Sequence, residues 1–141
     1  MALLVYVAGP LFDDGERWFV ETMEARIAHA GASTFLPHRD NPKKTAENVG
    51  QIYRNNIEAI DAADLVVANL NGVTTDDGTA WEIGYAFAKG TPVIGLFTDW
   101  RRRFDDEIVN LMIGESVEMI LRSLDELDAV LARRLVDAPT P

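Results

Sequence analysis

Leu65-Val66-Val67-Ala68-Asn69-Leu70 is an almost unbroken apolar run rich in β-branched residues, and it is followed by Asp76-Asp77-Gly78-Thr79-Ala80-Trp81-Glu82-Ile83-Gly84-Tyr85-Ala86. A short apolar run without alternation reads as a strand covered on both faces, which is the pattern of a parallel sheet. The block after it opens with turn and cap chemistry, Asp77 being the expected N-cap. It continues as a helix to Lys89, with Gly90 in the position that closes one. Ligands of open α/β sheets gather at such junctions, outside the carboxyl ends of the strands. The junction carries one carboxylate in the opening turns of the helix, Glu82. An acid there either complements the helix dipole, which would keep it ionised, or serves as a nucleophile.

Outward from this junction, strands and helices alternate. Leu3 to Ala8 reads as a strand stopped by Gly9-Pro10. Asp14 to Ala30 has helical spacing and ends at Gly31. Ala32 to Leu36 is a second strand, the polar stretch His38 to Glu47 a loop over the sheet edge, and Ala46 to Ala62 a second amphipathic helix. Pro92 to Phe97 forms a fourth strand. Asp99 to Asp106 is charged and irregular, Glu107 to Ile113 is expected to be helical, and Val117 to Leu121 is a fifth strand. Ser123 to Val136 closes the chain as a helix, with Ser123 and Glu126 at capping-box spacing. This order predicts an α/β fold, a flavodoxin-like doubly wound five-stranded parallel sheet with helices on both faces. One domain over residues 1–137 is expected, with 138–141 a frayed tail.

Composition narrows the function. The 141 residues carry 13 Lys and Arg against 23 Asp and Glu, a formal net charge of −10, which disfavours attraction to nucleic acid phosphates. The triple Arg101-Arg102-Arg103 lies among Asp99, Asp105 and Asp106 and reads as a self-neutralising loop. No cysteine is present and there are two histidines, His29 and His38, so neither a metal site nor a cofactor is expected. The Gly-x-Gly-x-x-Gly and Walker phosphate cradles are both absent from the sequence. The apolar start, Ala2 to Val7, is too short for a signal segment, and no run is long enough to span a bilayer. The expectation is a cytoplasmic protein without nucleic acid or membrane partners.

Four separated motifs then occur in order: Tyr6-Val7-Ala8-Gly9-Pro10-Leu11-Phe12; Asn56-x-x-x-Ile60-x-x-Ala63-Asp64; the Asp76 to Ala86 block; and Asn110-Leu111-Met112. Together they resemble the nucleoside 2-deoxyribosyltransferase family over residues 3 to about 113. The resemblance implies transfer of a 2-deoxyribosyl group between nucleobases, retaining and ping-pong, through a covalent glycosyl ester on Glu82. It implies that Tyr6 orients Glu82 by a hydrogen bond and that Asp76 binds sugar hydroxyls. It also implies that Asn110 and Met112 complete a neighbouring subunit's site, so that the partners are a nucleoside, a free nucleobase and further copies of the chain in a homo-oligomer. Gly9 suits close backbone approach to a ligand and Phe12 a stacking wall for the base, with a core position the other reading of Phe12. Trp81 reads as interface or core.

One position departs from the pattern. Some members of that family have Asp where this chain has Asn56, and an amide cannot act as a general acid. Asn56 can still hydrogen-bond a base edge, and the segment His38 to Asn41 loosely matches that family's base-binding loop, with His38 either a ligand or a surface residue. A proton for the departing base would come from water, Asp40 or Asp76, or not be needed. Two other functions fit the same scaffold: an N-glycosidase that hands the sugar to water, and a nucleotide sensor without catalysis. Asp76 and Asp77 would repel a phosphate dianion, which favours a neutral nucleoside.

Overall fold

The computed structural model describes residues 2–102 and 104–136; the tail at 138–141 lies outside the described residues. Five parallel strands, β1 (Leu4–Ala8), β2 (Ser33–Phe35), β3 (Leu65–Asn69), β4 (Val93–Leu96) and β5 (Met119–Leu121), form one sheet in the order β2-β1-β3-β4-β5. This is the doubly wound, flavodoxin-like order. β1, β3 and β4 are interior and apolar, and every residue of β3 is buried. The edge strands β2 and β5 have three residues each, which leaves little unpaired edge.

The helices are α1 (Asp14–His29), α2 (Pro37–Asp40), α3 (Val49–Ala62), α4 (Asp77–Lys89), α5 (Leu111–Gly114) and α6 (Leu124–Val136). Because successive strand residues point to opposite faces, β1 and β3 divide their side chains between two cores. Val5, Val7, Leu65 and Val67 pack under α1 and α6 with Met23, Ile27, Leu127 and Leu131. Tyr6, Ala8, Val66 and Ala68 face α3 and α4, with Ile60, Ile83 and Ala86. The register Tyr6 to Val66 thus puts the Tyr6 ring on the α4 side, and a one-residue slip would send it to the other face.

Short-range chemistry sets the helix ends. Asp13 caps α1, accepting from the Glu16 amide at 2.8 Å, while Glu16 reaches back to the Asp13 amide at 3.3 Å. α4 is capped by Asp76, not by Asp77 as expected, through its Oδ2 on the Thr79 amide at 2.9 Å; the helix ends on Gly90 with φ of 79°. At α6, Ser123 Oγ accepts from the Glu126 amide at 3.1 Å, and Glu126 answers to the Arg122 amide at 2.7 Å, one residue short of the usual box.

Two expected boundaries shift. The stretch read as loop from His38 contains α2, one turn begun by Pro37, whose missing N–H is no loss at a first helical position and whose Asp40 carboxylate accepts from the Leu36 amide at 2.8 Å. The helix expected from Glu107 begins only at Leu111, because the Asn110 side chain accepts from the Met112 amide at 2.9 Å and caps it there.

Gly9 follows β1 where α1 and β3 come closest. A Cβ there would lie 2.6 Å from Val20 Cγ1 and 3.0 Å from Asn69 Cβ. Val20 is a stiff β-branched side chain and Asn69 Cβ is bound to the backbone, so neither can give way easily. Gly9→Ala is expected to destabilise the protein by about 1–3 kcal/mol, read as a lower urea midpoint at unchanged slope; an unchanged midpoint would show that the junction has slack.

Candidate active site

The order of the strands reverses direction between β1 and β3, so the crevice of this fold opens beyond Ala8 and Asn69. A cavity of about 540 Å³ lies there, with Gly9, Phe12, His38, Asn41, Asn56 and Asp76 in its wall. A smaller one of about 290 Å³ shares Asn56 with it and is lined by Glu82, Tyr53 and Trp81. Asn56 therefore stands between a larger lobe and the lobe of the carboxylate. Tyr6 lines neither lobe; it is fully buried beside Glu82, with its ring stacked on Phe35 at 5.6 Å.

Glu82 is in the second turn of α4, beyond the first turn where the helix dipole is felt. Desolvation by its surroundings raises its pKa from 4.5 to about 7, and the nearby Asp76 charge adds to this. The expectation that the helix terminus keeps it ionised is thus corrected: burial outweighs the dipole. The Tyr6 hydroxyl acts in the opposite sense and holds the carboxylate's proton affinity down. Burial, and then the Glu82 charge, push the tyrosine far above its ordinary range. The hydroxyl stops short of full hydrogen-bond geometry to any acceptor, so the two groups are close neighbours without the completed bond the sequence suggested.

Asp76 Oδ2 accepts from both the amide and the hydroxyl of Thr79 at 2.9 Å. Its Oδ1 has no protein partner among the described residues, so one carboxylate oxygen is occupied in capping α4 while the residue borders the larger lobe. Asn56 Oδ1 accepts from Asn41 Nδ2 at 2.8 Å, and Asn41 also binds the Pro37 carbonyl at 2.9 Å and Asn55 Nδ2 at 3.0 Å. With its oxygen engaged, Asn56 offers the cleft two N–H donors and no acid. Phe12 is 79% exposed on the cleft wall, which excludes the core position.

Asn110 and Met112 line neither lobe. They border a separate cavity of about 500 Å³ on the other flank of α4, with Val73, Phe87 and Ile113. Trp81 is stacked on Tyr85 at 5.4 Å and meets Tyr53 edge-on at 5.9 Å. Half exposed, it belongs to the wall of the Glu82 lobe more than to the core.

His38 and Asn41, matched only loosely to a base-binding loop, both line the larger lobe, where three side-chain hydrogen bonds of Asn41 tie it to Asn56, Asn55 and Pro37; the sequence reading missed the rim lysines Lys43 and Lys44. Pro37 followed by Asp40 was the available signal for an ordered turn at this place. Arg101 binds Asp99 at 2.6 Å, in keeping with a self-neutralised loop, whereas Arg103 lies outside the described residues. Among the described residues no group of three or more His, Asp or Glu is arranged to hold a metal ion, and no helix is long and apolar enough to cross a membrane.

The family model for nucleoside 2-deoxyribosyltransferases matches residues 5–118. The chain belongs to the nucleoside 2-deoxyribosyltransferase family. Solved structures agree. A 2-deoxyribosyltransferase from the psychrotolerant bacterium Bacillus psychrosaccharolyticus has a TM-score of 0.79 at 25% identity, with 91% of this chain and 95% of that one covered. A 2-desoxiribosyltransferase from Leishmania mexicana has a TM-score of 0.69 at 25% identity, covering 93% and 97%. A conserved protein from Enterococcus faecalis V583 has a TM-score of 0.82 at 27% identity, covering 95% and 99%. No curated protein matches. Membership of the nucleoside 2-deoxyribosyltransferase family indicates a nucleoside-processing enzyme, in a family that acts on small-molecule nucleosides and nucleobases.

A raised carboxylate pKa has a thermodynamic signature. Between 4.5 and about 7 the folded state binds more protons at Glu82 than the unfolded state does, so stability falls as pH rises through this window. Glu82→Gln removes the cost of a buried charge. It is expected to raise stability at pH 8 by on the order of 1–3 kcal/mol and to leave it nearly unchanged at pH 4.5. Urea unfolding at the two values checks this, and an equal effect at both would contradict it.

Proposed function

We propose that the enzyme moves a 2-deoxyribosyl group from one nucleobase to another by double displacement at Glu82. The observation that carries this is the desolvated carboxylate of Glu82, beside Tyr6 and Asp76, in a cleft at the switch point of the sheet. In the first half, the ionised carboxylate attacks C1′ as the glycosidic C–N bond breaks, and its negative charge stabilises the oxocarbenium-like centre. The electron pair of the C–N bond leaves with the base. In the second half an incoming base attacks C1′ from the vacated side, the ester opens, and Glu82 is regenerated. Two inversions give net retention.

The roles of the surrounding residues follow from their chemistry. Tyr6 orients Glu82 and completes its hydrogen bond once the cleft is filled. Asp76 presents its unpaired oxygen to a sugar hydroxyl, since a carboxylate is a strong acceptor. Asn56 donates to a base edge, Phe12 covers the base face, and Gly9 lets the β1 backbone approach. Asn110 and Met112 act across an interface. They stand on the far flank of α4, beside Phe87 at 59% and Leu111 at 62% exposure, and serve the cleft of a second copy.

Incubation with deoxyinosine and free adenine, read by chromatography, is expected to yield deoxyadenosine. Accumulation of free deoxyribose with no new nucleoside would instead make the enzyme a hydrolase. Glu82→Ala is expected to lose at least about 10³-fold in turnover, and binding without any turnover in the wild type would identify a sensor. Because only the ionised nucleophile attacks, kcat/KM should rise with pH and level off above about 7.

A shared site makes a second prediction. Glu82→Ala and Asn110→Ala proteins, each inactive alone, should regain activity when their subunits are mixed, since a mixed pair contains one cleft with both groups intact. Failure to complement, with exchange of subunits verified, would place each site within one chain.

A further inference from the structure

Two donors of one residue converge on one oxygen of Asp76. Its Oδ2 accepts from the Thr79 amide at 2.9 Å and from the Thr79 hydroxyl at 2.9 Å. Its Oδ1 has no protein partner among the described residues, and Asp76 lines the larger lobe. Capping a helix needs only the first of these bonds, one side-chain oxygen on one amide of the opening turn. The hydroxyl bond does something that capping does not require.

Thr79 is 2% exposed and borders neither lobe of the cleft. A buried hydroxyl has to be paired, yet valine has nearly the same shape and would fill that place with no polar group to satisfy. What valine could not do is hold the carboxylate. A bond from the amide alone leaves the group free to tilt, whereas two donors on one oxygen fix its plane as well as its place. Thr79 is itself held firmly. Its β-branched side chain is stiff about χ1, and α4 is docked on the sheet through Ile83 and Ala86. Thr79 and Glu82 are one turn apart on that helix, and the Asp76 charge is felt at Glu82. The same turn of helix thus carries the nucleophile and aims the free oxygen of Asp76 before a substrate arrives, which lowers the cost of ordering that contact on binding.

Resting on the reading of Asp76 as the ligand of a sugar hydroxyl, we propose that Thr79 is a positioning residue for sugar recognition. Its hydroxyl holds the Asp76 carboxylate so that the free oxygen meets one hydroxyl of the deoxyribosyl group while C1′ lies at Glu82. Thr79 makes no contact with the substrate, and no bond to it forms or breaks in the reaction.

The test measures base exchange with adenine in wild type, Thr79→Val, Thr79→Ser and Asp76→Ala. Three donors are used: deoxyinosine and its 2′,3′-dideoxy and 2′,5′-dideoxy forms, each of which lacks one of the two sugar hydroxyls. Asp76→Ala is expected to cost least on the donor without its partner, which identifies that hydroxyl. Thr79→Val should lose roughly 10- to 100-fold in kcat/KM on deoxyinosine and less than about threefold on that same shortened donor. Thr79→Ser, which keeps the hydroxyl, should restore deoxyinosine turnover to within about threefold of wild type. Where wild type does not turn over a shortened donor, its inhibition constant against deoxyinosine exchange supplies the same comparison, and Thr79→Ala replaces a valine variant that does not fold. Equal losses for Thr79→Val on all three donors would make Thr79 merely structural and overturn the proposal. A serine variant as poor as the valine one, or no loss on deoxyinosine, would overturn it too. The parent readings fail separately: equal losses for Asp76→Ala on all three donors would remove Asp76 as the sugar ligand, and the role of Thr79 with it, whereas turnover by Glu82→Ala would remove the nucleophile alone.

Discussion

A carboxylate lifted out of water beside a buried tyrosine is the constraint on which the rest of this structure depends. Desolvation makes the charge of Glu82 costly to the folded protein, and in the proposed reaction the same desolvation would make that charge effective at a developing cation. The sheet supplies what holds it there. β3 is buried on both faces, α4 springs from its end, and β1 lies beside β3 in a register that turns Tyr6 toward α4. The two sides of the cleft thus come from adjacent central strands, while the larger lobe is completed by the segment after β1, the α2 turn and α3.

The close approach of β1 to its neighbours has its own requirement. Gly9 was read from sequence as room for a ligand, and the structure gives it a second reason: Val20 and Asn69 already occupy the space a side chain would need. A glycine at the end of a strand has several physical explanations, and sequence alone cannot choose among them. The same holds for Asp76. Its residue type and position announced a helix start, but which of Asp76 and Asp77 capped the helix depended on backbone angles no pattern reveals.

Much of the architecture was legible because its signals are local. Apolar runs separated by helical periodicity, Gly31 and Gly90 at helix ends, and the strand-turn-helix junction before Glu82 led to the five-stranded parallel sheet. Three of the four motifs place residues on the candidate cleft, whereas Asn110 and Met112 of the fourth border another cavity. The ionisation of Glu82 was not legible, since it depends on how deeply α4 docks, and burial reversed the effect expected from the helix terminus. The short α5 was misjudged because Asn110 looked like a helix residue and is instead its cap. His38 stayed open between ligand and surface residue because a lone histidine in a polar stretch carries no pattern; its ring is held by Glu21, seventeen residues away in sequence and 2.8 Å away in space.

The central claim is a covalent bond between Glu82 and the sugar, and it can be caught directly. Rapid acid quenching of the enzyme with deoxyinosine in the absence of an acceptor base, followed by proteolysis and mass spectrometry, should find one 2-deoxyribosyl group on the peptide that contains Glu82. Its removal should follow addition of adenine at the rate of deoxyadenosine formation. Turnover with no adduct on that peptide, or an adduct on another residue that forms and decays at the catalytic rate, would contradict the account.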